Sequence, residues 1–245
     1  MDRRLKHYIS LIDLTSLNDD DTDNSIIQLI EKANLGYKGT FVAALCVFPK
    51  FGKLVKEQLS PQIRTAVVGP AFPGGKMAIY LRKKALAEIA GSKVDEVDIV
   101  ADPFLAINGM WDQYDEQIKF SRNLLPGKTL KVILETGELN NTDTIQKAAE
   151  TAIAAGADFL KTSTGKTTTG YTPKALEIFC RVVQEHFAKT GKCIGIKTSG
   201  GIRTLEQVEE IFQLTTNILG SDWLKPATFR IGASSLYDNL LAELG

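Results

Sequence analysis

The sequence predicts an α/β protein folded as one closed (β/α)8 TIM barrel, and three observations carry that prediction. Apolar runs of strand length recur eight times, stretches with helical period separate them, and the connections are short with no Pro/Gly/Ser-rich linker. Strict alternation of this kind makes parallel strands joined by helices, and eight repeats let the sheet close on itself. A doubly wound open sheet is the competitor, but it normally carries a glycine-rich nucleotide turn after its first strand. Here that turn reads Asp13-Leu14-Thr15-Ser16-Leu17-Asn18, without glycine.

In chain order, the predicted strands are 8–13, 40–47, 63–69, 95–100, 129–135, 157–161, 193–197 and 228–231. The predicted helices are 22–34, 50–58, 76–90, 113–124, 142–155, 173–188, 204–213 and 235–244, one after each strand, so residues 1–245 read as a single catalytic domain. Helix starts are marked locally. The acidic stretch Asp19-Asp20-Asp21-Thr22-Asp23 precedes Ile26-Ile27, where a helix dipole favours negative charge, and Thr204 with Gln207 fits a capping box.

Composition narrows the function classes. The 29 basic and 29 acidic residues cancel, which argues against a nucleic acid or an anionic membrane held by bulk electrostatics. The basic N-terminus is followed by an apolar stretch broken at Ser10 and Asp13, unlike a secretory signal, and no run approaches the length of a membrane span. Cys46, Cys180 and Cys193 lack metal-ligand spacing, and His7 and His186 are the only histidines. Reduced thiols, no zinc, no cofactor and a cytoplasmic address are the resulting expectations. A homodimer is the default expectation for assembly.

Chemistry in this fold gathers at the C-terminal strand ends, and strand parity says which side chains point inward there. Ile194 and Ile196 share one face, leaving Cys193, Gly195 and Lys197 inside; Val97 and Ile99 leave Glu96 and Asp98 inside; Phe159 and Lys161 oppose Leu160. Lys161, Lys197 and Asp98 therefore converge on one cavity. A lysine desolvated beside a second cation loses its proton more easily and becomes a nucleophile toward carbonyls, with Asp98 placed to move protons. The plainer reading of a strand-end lysine is a solvated or carboxylate-paired one. Three convergent ionisable groups bring the catalytic reading level with it.

Two glycine-bearing turns suggest an anion site. Gly200-Gly201-Ile202-Arg203-Thr204 follows the seventh strand, and Gly232-Ala233-Ser234-Ser235 follows the eighth; both open helices whose N–H groups face outward, and Gly165-Lys166 lies after the sixth. The competing reading is turning glycines and a serine helix cap. Gly165-Lys166-Thr167 is not a nucleotide-triphosphate loop, because the required glycine five residues earlier is Leu160. Cys46, beside Val42 and Ala44 on a small-residue face, reads as packing.

Six ordered blocks now resemble one family. They are Asp13-Leu14-Thr15; Asp95 to Val100; Leu130 to Leu139; Gly156 to Lys166; Gly195 to Thr204; and Arg230 to Leu236. Together they resemble deoxyribose-phosphate aldolase over almost the whole chain. The resemblance implies a metal-independent class I aldolase that converts 2-deoxy-D-ribose 5-phosphate to D-glyceraldehyde 3-phosphate and acetaldehyde in deoxynucleoside catabolism. It implies Lys161 as Schiff-base lysine, Lys197 as second lysine and Asp98 as proton relay. By the same resemblance Gly165, Gly200, Gly201, Gly232, Ser234 and Ser235 bind phosphate, with Asp13 and Thr15 at the substrate. Departures are the acidic Ala101-Asp102-Pro103 turn, Thr198-Ser199 after Lys197, and a chain ending at Gly245 without a terminal tyrosine. Another Schiff-base aldolase or transaldolase, a phosphosugar isomerase and a non-catalytic phosphosugar-binding barrel are the alternatives.

Overall fold

The computed structural model describes residues 2–139 and 141–244. Its eight strands are parallel and close in chain order, β1 pairing with both β2 and β8. They are β1 (Ile12–Thr15), β2 (Ala44–Val47), β3 (Arg64–Val68), β4 (Glu96–Val100), β5 (Thr129–Ile133), β6 (Phe159–Lys161), β7 (Gly195–Ser199) and β8 (Phe229–Ala233). The surrounding helices are α1 (Asp2–Ser10), α2 (Asp23–Leu35), α3 (Gly52–Gln58), α4 (Ile79–Gly91), α5 (Pro103–Ile107), α6 (Trp111–Leu124), α7 (Thr142–Ala154), α8 (Pro173–Thr190), α9 (Leu205–Leu219) and α10 (Leu236–Leu244).

Outward strand residues such as Leu45, Val97, Val132, Leu160, Ile196 and Ile231 are fully buried against the helix ring. Removing each such side chain from water contributes about 1.5–3 kcal/mol, so this layer dominates the stability of the barrel. Inside the barrel the residues divide by strand. Ala44, Cys46, Ala66 and Val68 of β2 and β3 form a small apolar cluster with Leu17, against which Phe48 and Phe72 pack. The inward positions of β4 to β8 supply the charged side chains Glu96, Asp98, Lys131, Lys161, Lys197 and Arg230.

Two elements correct the sequence reading. The first predicted strand, 8–13, covers the end of a helix, and β1 begins only at Ile12. The reason is that Leu5, Tyr8 and Ile9 follow the i, i+3, i+4 spacing of a helix face and are buried on it. Tyr8 packs edge-on against Phe212 of α9, and His7 Nε2 lies 2.7 Å from the carbonyl of Leu224. The second is α5, where an acidic turn was expected. Asp102 caps it by accepting from Phe104 N at 2.9 Å, and Pro103 occupies its first turn.

Helix caps elsewhere agree with the sequence. Thr204 and Gln207 form the capping box of α9, and Thr22 with Ser25 forms one on α2. No helix among the described residues is long and apolar enough to cross a membrane.

Candidate active site

Strand register sets the site. Lys161 pairs with Lys197 across β6 and β7, and Asp98 pairs with Lys131 across β4 and β5, so four charged side chains enter the barrel at neighbouring levels. Space for them comes from glycines. A Cβ on Gly195 would sit 2.2 Å from the Phe159 ring, and one on Gly232 would sit 2.9 Å from Lys197 Cε. Bare backbone on β7 and β8 thus admits the bulky neighbours on β6 and β7.

Asp98 is the hub. Its Oδ1 accepts from Lys131 Nζ at 2.9 Å, while its Oδ2 accepts from both Lys161 Nζ at 2.9 Å and Lys197 Nζ at 2.8 Å. Lys197 Nζ also lies 2.6 Å from Asp13 Oδ2, and Arg230 joins Asp13 at 2.6 Å to Glu96 at 2.9 Å. Lys131 closes the ring at 2.5 Å from Glu96. All seven groups are buried, so each charge depends on the others for the solvation that water no longer supplies.

The balance of neighbours separates the two lysines. Burial pushes the Lys161 amine below its ordinary value; Asp98 resists this, and the Lys197 charge adds to it. Lys197 is as deeply buried, but Asp13 and Asp98 together outweigh desolvation and hold its ammonium above the ordinary value. Lys131 is raised likewise, with Asp98, Glu96 and Asp13 overcoming its burial. Burial favours the neutral form of Asp98, yet Lys131, Lys161 and Lys197 keep it ionised well below the usual carboxylate range. Asp13 is lowered in the same way by Lys197 and Arg230 against burial. Burial raises the Cys46 thiol, consistent with its packing role.

A cavity of about 170 Å³ opens at the C-terminal strand ends. Lys161, Thr15, Gly165, Gly200, Gly201, Gly232 and Ser234 all line it, joined by Lys166, Ser199 and Arg203. Lys197 and Asp98 do not border it: Asp98 lies behind Lys161, and Lys197 behind Lys161 and Gly232. Asp13, fully buried against Lys197, and Ser235 are also absent from the lining. Asp102 spends its carboxylate on the α5 cap and is likewise not in the wall. No group of three or more His, Cys, Asp or Glu side chains among the described residues is placed to hold a metal ion.

The sequence reading passed over Lys131 and Arg230. Parity would have found both, since Leu130 and Val132 flank one and Phe229 and Ile231 the other, all buried outward. It also passed over Glu135, which sits beyond the end of β5 and carries no periodic signal.

Comparison with known proteins agrees with this fold. The sequence model described as DeoC/LacD family aldolase matches residues 7–218. A structure from Toxoplasma gondii ME49, provisionally named a deoxyribose-phosphate aldolase, superposes with a TM-score of 0.86 at 22% identity, covering 97% of this chain and 93% of that one. An aldolase named QR15 gives 0.78 at 29% identity over 97% and 96% of the two chains. The tetrameric deoxyribose phosphate aldolase of Aeropyrum pernix gives 0.72 at 22% identity over 98% and 92%. A barrel with two lysines on one carboxylate oxygen, matched by the family's sequence model over most of its length, belongs to the DeoC/LacD family of aldolases and is a carbon–carbon lyase.

Proposed function

We propose that this enzyme is a class I aldolase that forms a Schiff base through Lys161 and reversibly cleaves 2-deoxy-D-ribose 5-phosphate to D-glyceraldehyde 3-phosphate and acetaldehyde. One observation carries the assignment of the nucleophile: of the two lysines on Asp98 Oδ2, only Lys161 borders the cavity, and it is the one whose proton is loosened.

Neutral Lys161 adds to the aldehyde carbon of the open-chain sugar, and loss of water from the carbinolamine leaves an iminium. The iminium accepts the electron pair of the C2–C3 bond as the C3 hydroxyl gives up its proton. Glyceraldehyde 3-phosphate departs and an enamine remains on Lys161. Protonation of that enamine at carbon and hydrolysis release acetaldehyde and the free amine. Asp98, within hydrogen-bond reach of Lys161 Nζ, is the group placed to take and return protons directly or through one water. Lys197 stays charged throughout, because Asp13 and Asp98 hold its proton.

The phosphate is received by the other wall of the cavity. Gly200 and Gly201 precede α9, Gly232 and Ser234 precede α10, and Lys166 and Arg203 add positive charge to the rim. The substrate class, a small phosphorylated sugar, follows from this wall and from the family. Deoxynucleoside catabolism in the cytoplasm is the setting in which that substrate arises, and residues 1–245 serve as one catalytic domain without a cofactor.

The deciding experiment is borohydride reduction in the presence of acetaldehyde, followed by peptide mapping. A stable adduct on Lys161 is expected. An adduct on Lys197, or none, rejects the assignment, and an isomerase using the same cavity would leave no adduct at all.

A further inference from the structure

Glu135 stands where the chain leaves β5, 2% exposed and with φ at +50°, in the left-handed region. A residue with a Cβ holds that backbone at a cost of about 1–3 kcal/mol, and it persists where surrounding contacts over-determine it. Here those contacts come from the following loop. The Glu135 carboxylate accepts from Thr164 N at 3.1 Å, from the Thr164 hydroxyl, and from the Thr167 hydroxyl at 3.1 Å. The Thr164 hydroxyl in turn accepts from Lys166 N at 3.1 Å. The connection therefore runs from a buried carboxylate to the backbone of a cation on the cavity rim.

The loops around it leave no slack. A Cβ on Gly137 would meet the Thr169 carbonyl at 2.1 Å, and one on Gly170 would meet the Gly200 carbonyl at 2.4 Å. Tyr171 N donates to that same Gly200 carbonyl at 2.9 Å. The segments after β5, β6 and β7 thus stack backbone on backbone, with Glu135 pinning the middle one from beneath. Glu135 itself does not line the cavity. Among the described residues the Glu135 carboxylate makes no ion pair, so hydrogen bonds hold it in place.

We propose that Glu135 is a positioning residue: acting through Thr164, it fixes the Thr164–Thr167 segment and Lys166 so that the cavity is shaped in advance for the anionic end of the substrate. This rests on the phosphate reading above. A negative charge under a phosphate site is electrostatically adverse, so its contribution is geometric. Hydrogen bonds to an ionised acceptor are roughly twice as strong as neutral ones, and a loop held in its binding shape loses less freedom when the ligand arrives.

The test compares 2-deoxyribose 5-phosphate with unphosphorylated 2-deoxyribose in the wild type and in Glu135→Gln. The amide keeps one acceptor oxygen for Thr164 N and the Thr164 hydroxyl but removes the charge, so both bonds to Thr164 pass from a charge-assisted to a weaker neutral acceptor. KM for the phosphorylated sugar should rise roughly tenfold or more, while kcat/KM for 2-deoxyribose stays within about threefold. Thr164→Val should reproduce the KM rise and Thr164→Ser should restore it, and the losses of Thr164→Val and Glu135→Gln should not add. Equal losses on both sugars, additive losses, or an unchanged KM overturn the proposal. If Glu135→Gln does not fold, the Thr164 pair decides, and a Thr164→Val indistinguishable from Thr164→Ser overturns it. A wild type that fails to prefer the phosphorylated sugar removes the phosphate reading and this proposal together, whereas a wild type that prefers it beside an unaffected Glu135→Gln removes this proposal alone.

Discussion

Lys161 and Lys197 donate to the same oxygen of Asp98, at 2.9 and 2.8 Å, yet their protonation is displaced in opposite directions. The difference is Asp13, which contacts Lys197 at 2.6 Å and leaves Lys161 to share a carboxylate already claimed by two other cations. One amine is thereby prepared to lose its proton and the other to keep it.

Replacing Lys197 with leucine should move the protonation of Lys161 upward. Its repulsion on Lys161 disappears, and Asp98 is left with fewer cations to serve, so both changes favour the ammonium. Schiff-base formation with acetaldehyde should fall near neutral pH and recover in alkali, with the profile displaced by about one pH unit or more, each unit being about 1.4 kcal/mol. Because burial is the largest cause of the lowered Lys161 value, part of the lowering should survive. Lys197→Arg, which keeps the charge, should hold the profile near its wild-type position even if turnover drops. An unshifted profile in Lys197→Leu would leave desolvation as the whole explanation.

Lys161→Ala should abolish aldol cleavage and borohydride trapping while the barrel still folds. Asp98 retains Lys131 and Lys197, so no carboxylate is stranded. Circular dichroism with a thermal melt checks the fold beside the assay; residual wild-type turnover in a folded variant refutes the role.

Asp98→Asn has the opposite character, because it leaves three buried lysines, two of them held charged, without their common partner. A loss of about 3–5 kcal/mol at neutral pH is expected from breaking such a site. Its acid behaviour carries the sign. The pKa of Asp98 is lower folded than unfolded, so its contribution is complete above the unfolded value of about 3.9 and is lost as pH falls toward the folded one. Urea unfolding over a pH series should show a shallower acid slope in Asp98→Asn than in the wild type. Adduct formation should also extend to lower pH in the variant, since the carboxylate no longer holds the Lys161 proton, while complete turnover drops.

Much of this site was legible because a strand alternates strictly. Ile194 and Ile196 could face only the helices, which sent Lys197 inward, and the same logic placed Glu96, Asp98, Phe159 and Lys161. What alternation could not show was the depth of each residue along the barrel axis, which depends on register between strands. Asp13 therefore read as a substrate contact from family likeness alone; its backbone pairs with Gly232 of the cavity wall, while its side chain is buried on Lys197 and Arg230. Glu135 was invisible for a different reason: its importance lies in a backbone angle and in bonds to residues 29 and 32 positions away, neither of which a periodic pattern encodes. The missed α1 was legible in principle, but its apolar residues were counted as a run when they form a stripe.

Gly201 has φ at +83°, and an added Cβ there would meet nothing within 4 Å, so a side chain would strain the turn and project into open space beside the cavity. Gly201→Leu should raise KM for the phosphorylated sugar far more than for 2-deoxyribose. Equal effects on the two sugars would show that the turn does not receive the phosphate.

Gly232→Ala acts on the other side of the same wall, where the new methyl would crowd Lys197 Cε at 2.9 Å and Ser199 Cβ at 3.0 Å. Lys197 is tethered by Asp13 and Asp98 and cannot swing aside freely. Crowding of this kind costs about 1–3 kcal/mol, and the expected signature is a lower kcat together with a displaced pH profile of adduct formation. A lower melting temperature with an unchanged profile would mean that the strain is absorbed away from the lysine.

The closure of β1 against β8 also bears on how the chain reaches this state. Asp13 and Arg230 are 217 positions apart, and Asp13 also meets Lys197, so the charged ring is complete only when the last strands dock on the first. During synthesis the N-terminal carboxylates must stay hydrated until their cations have emerged, and a topology with such distant contacts folds slowly. The ring then proofreads alignment: a strand that slips by one residue turns every inward charge toward the helices, stranding it without a partner. The groups arranged around Lys161 for chemistry thus penalise a misaligned barrel before any substrate arrives.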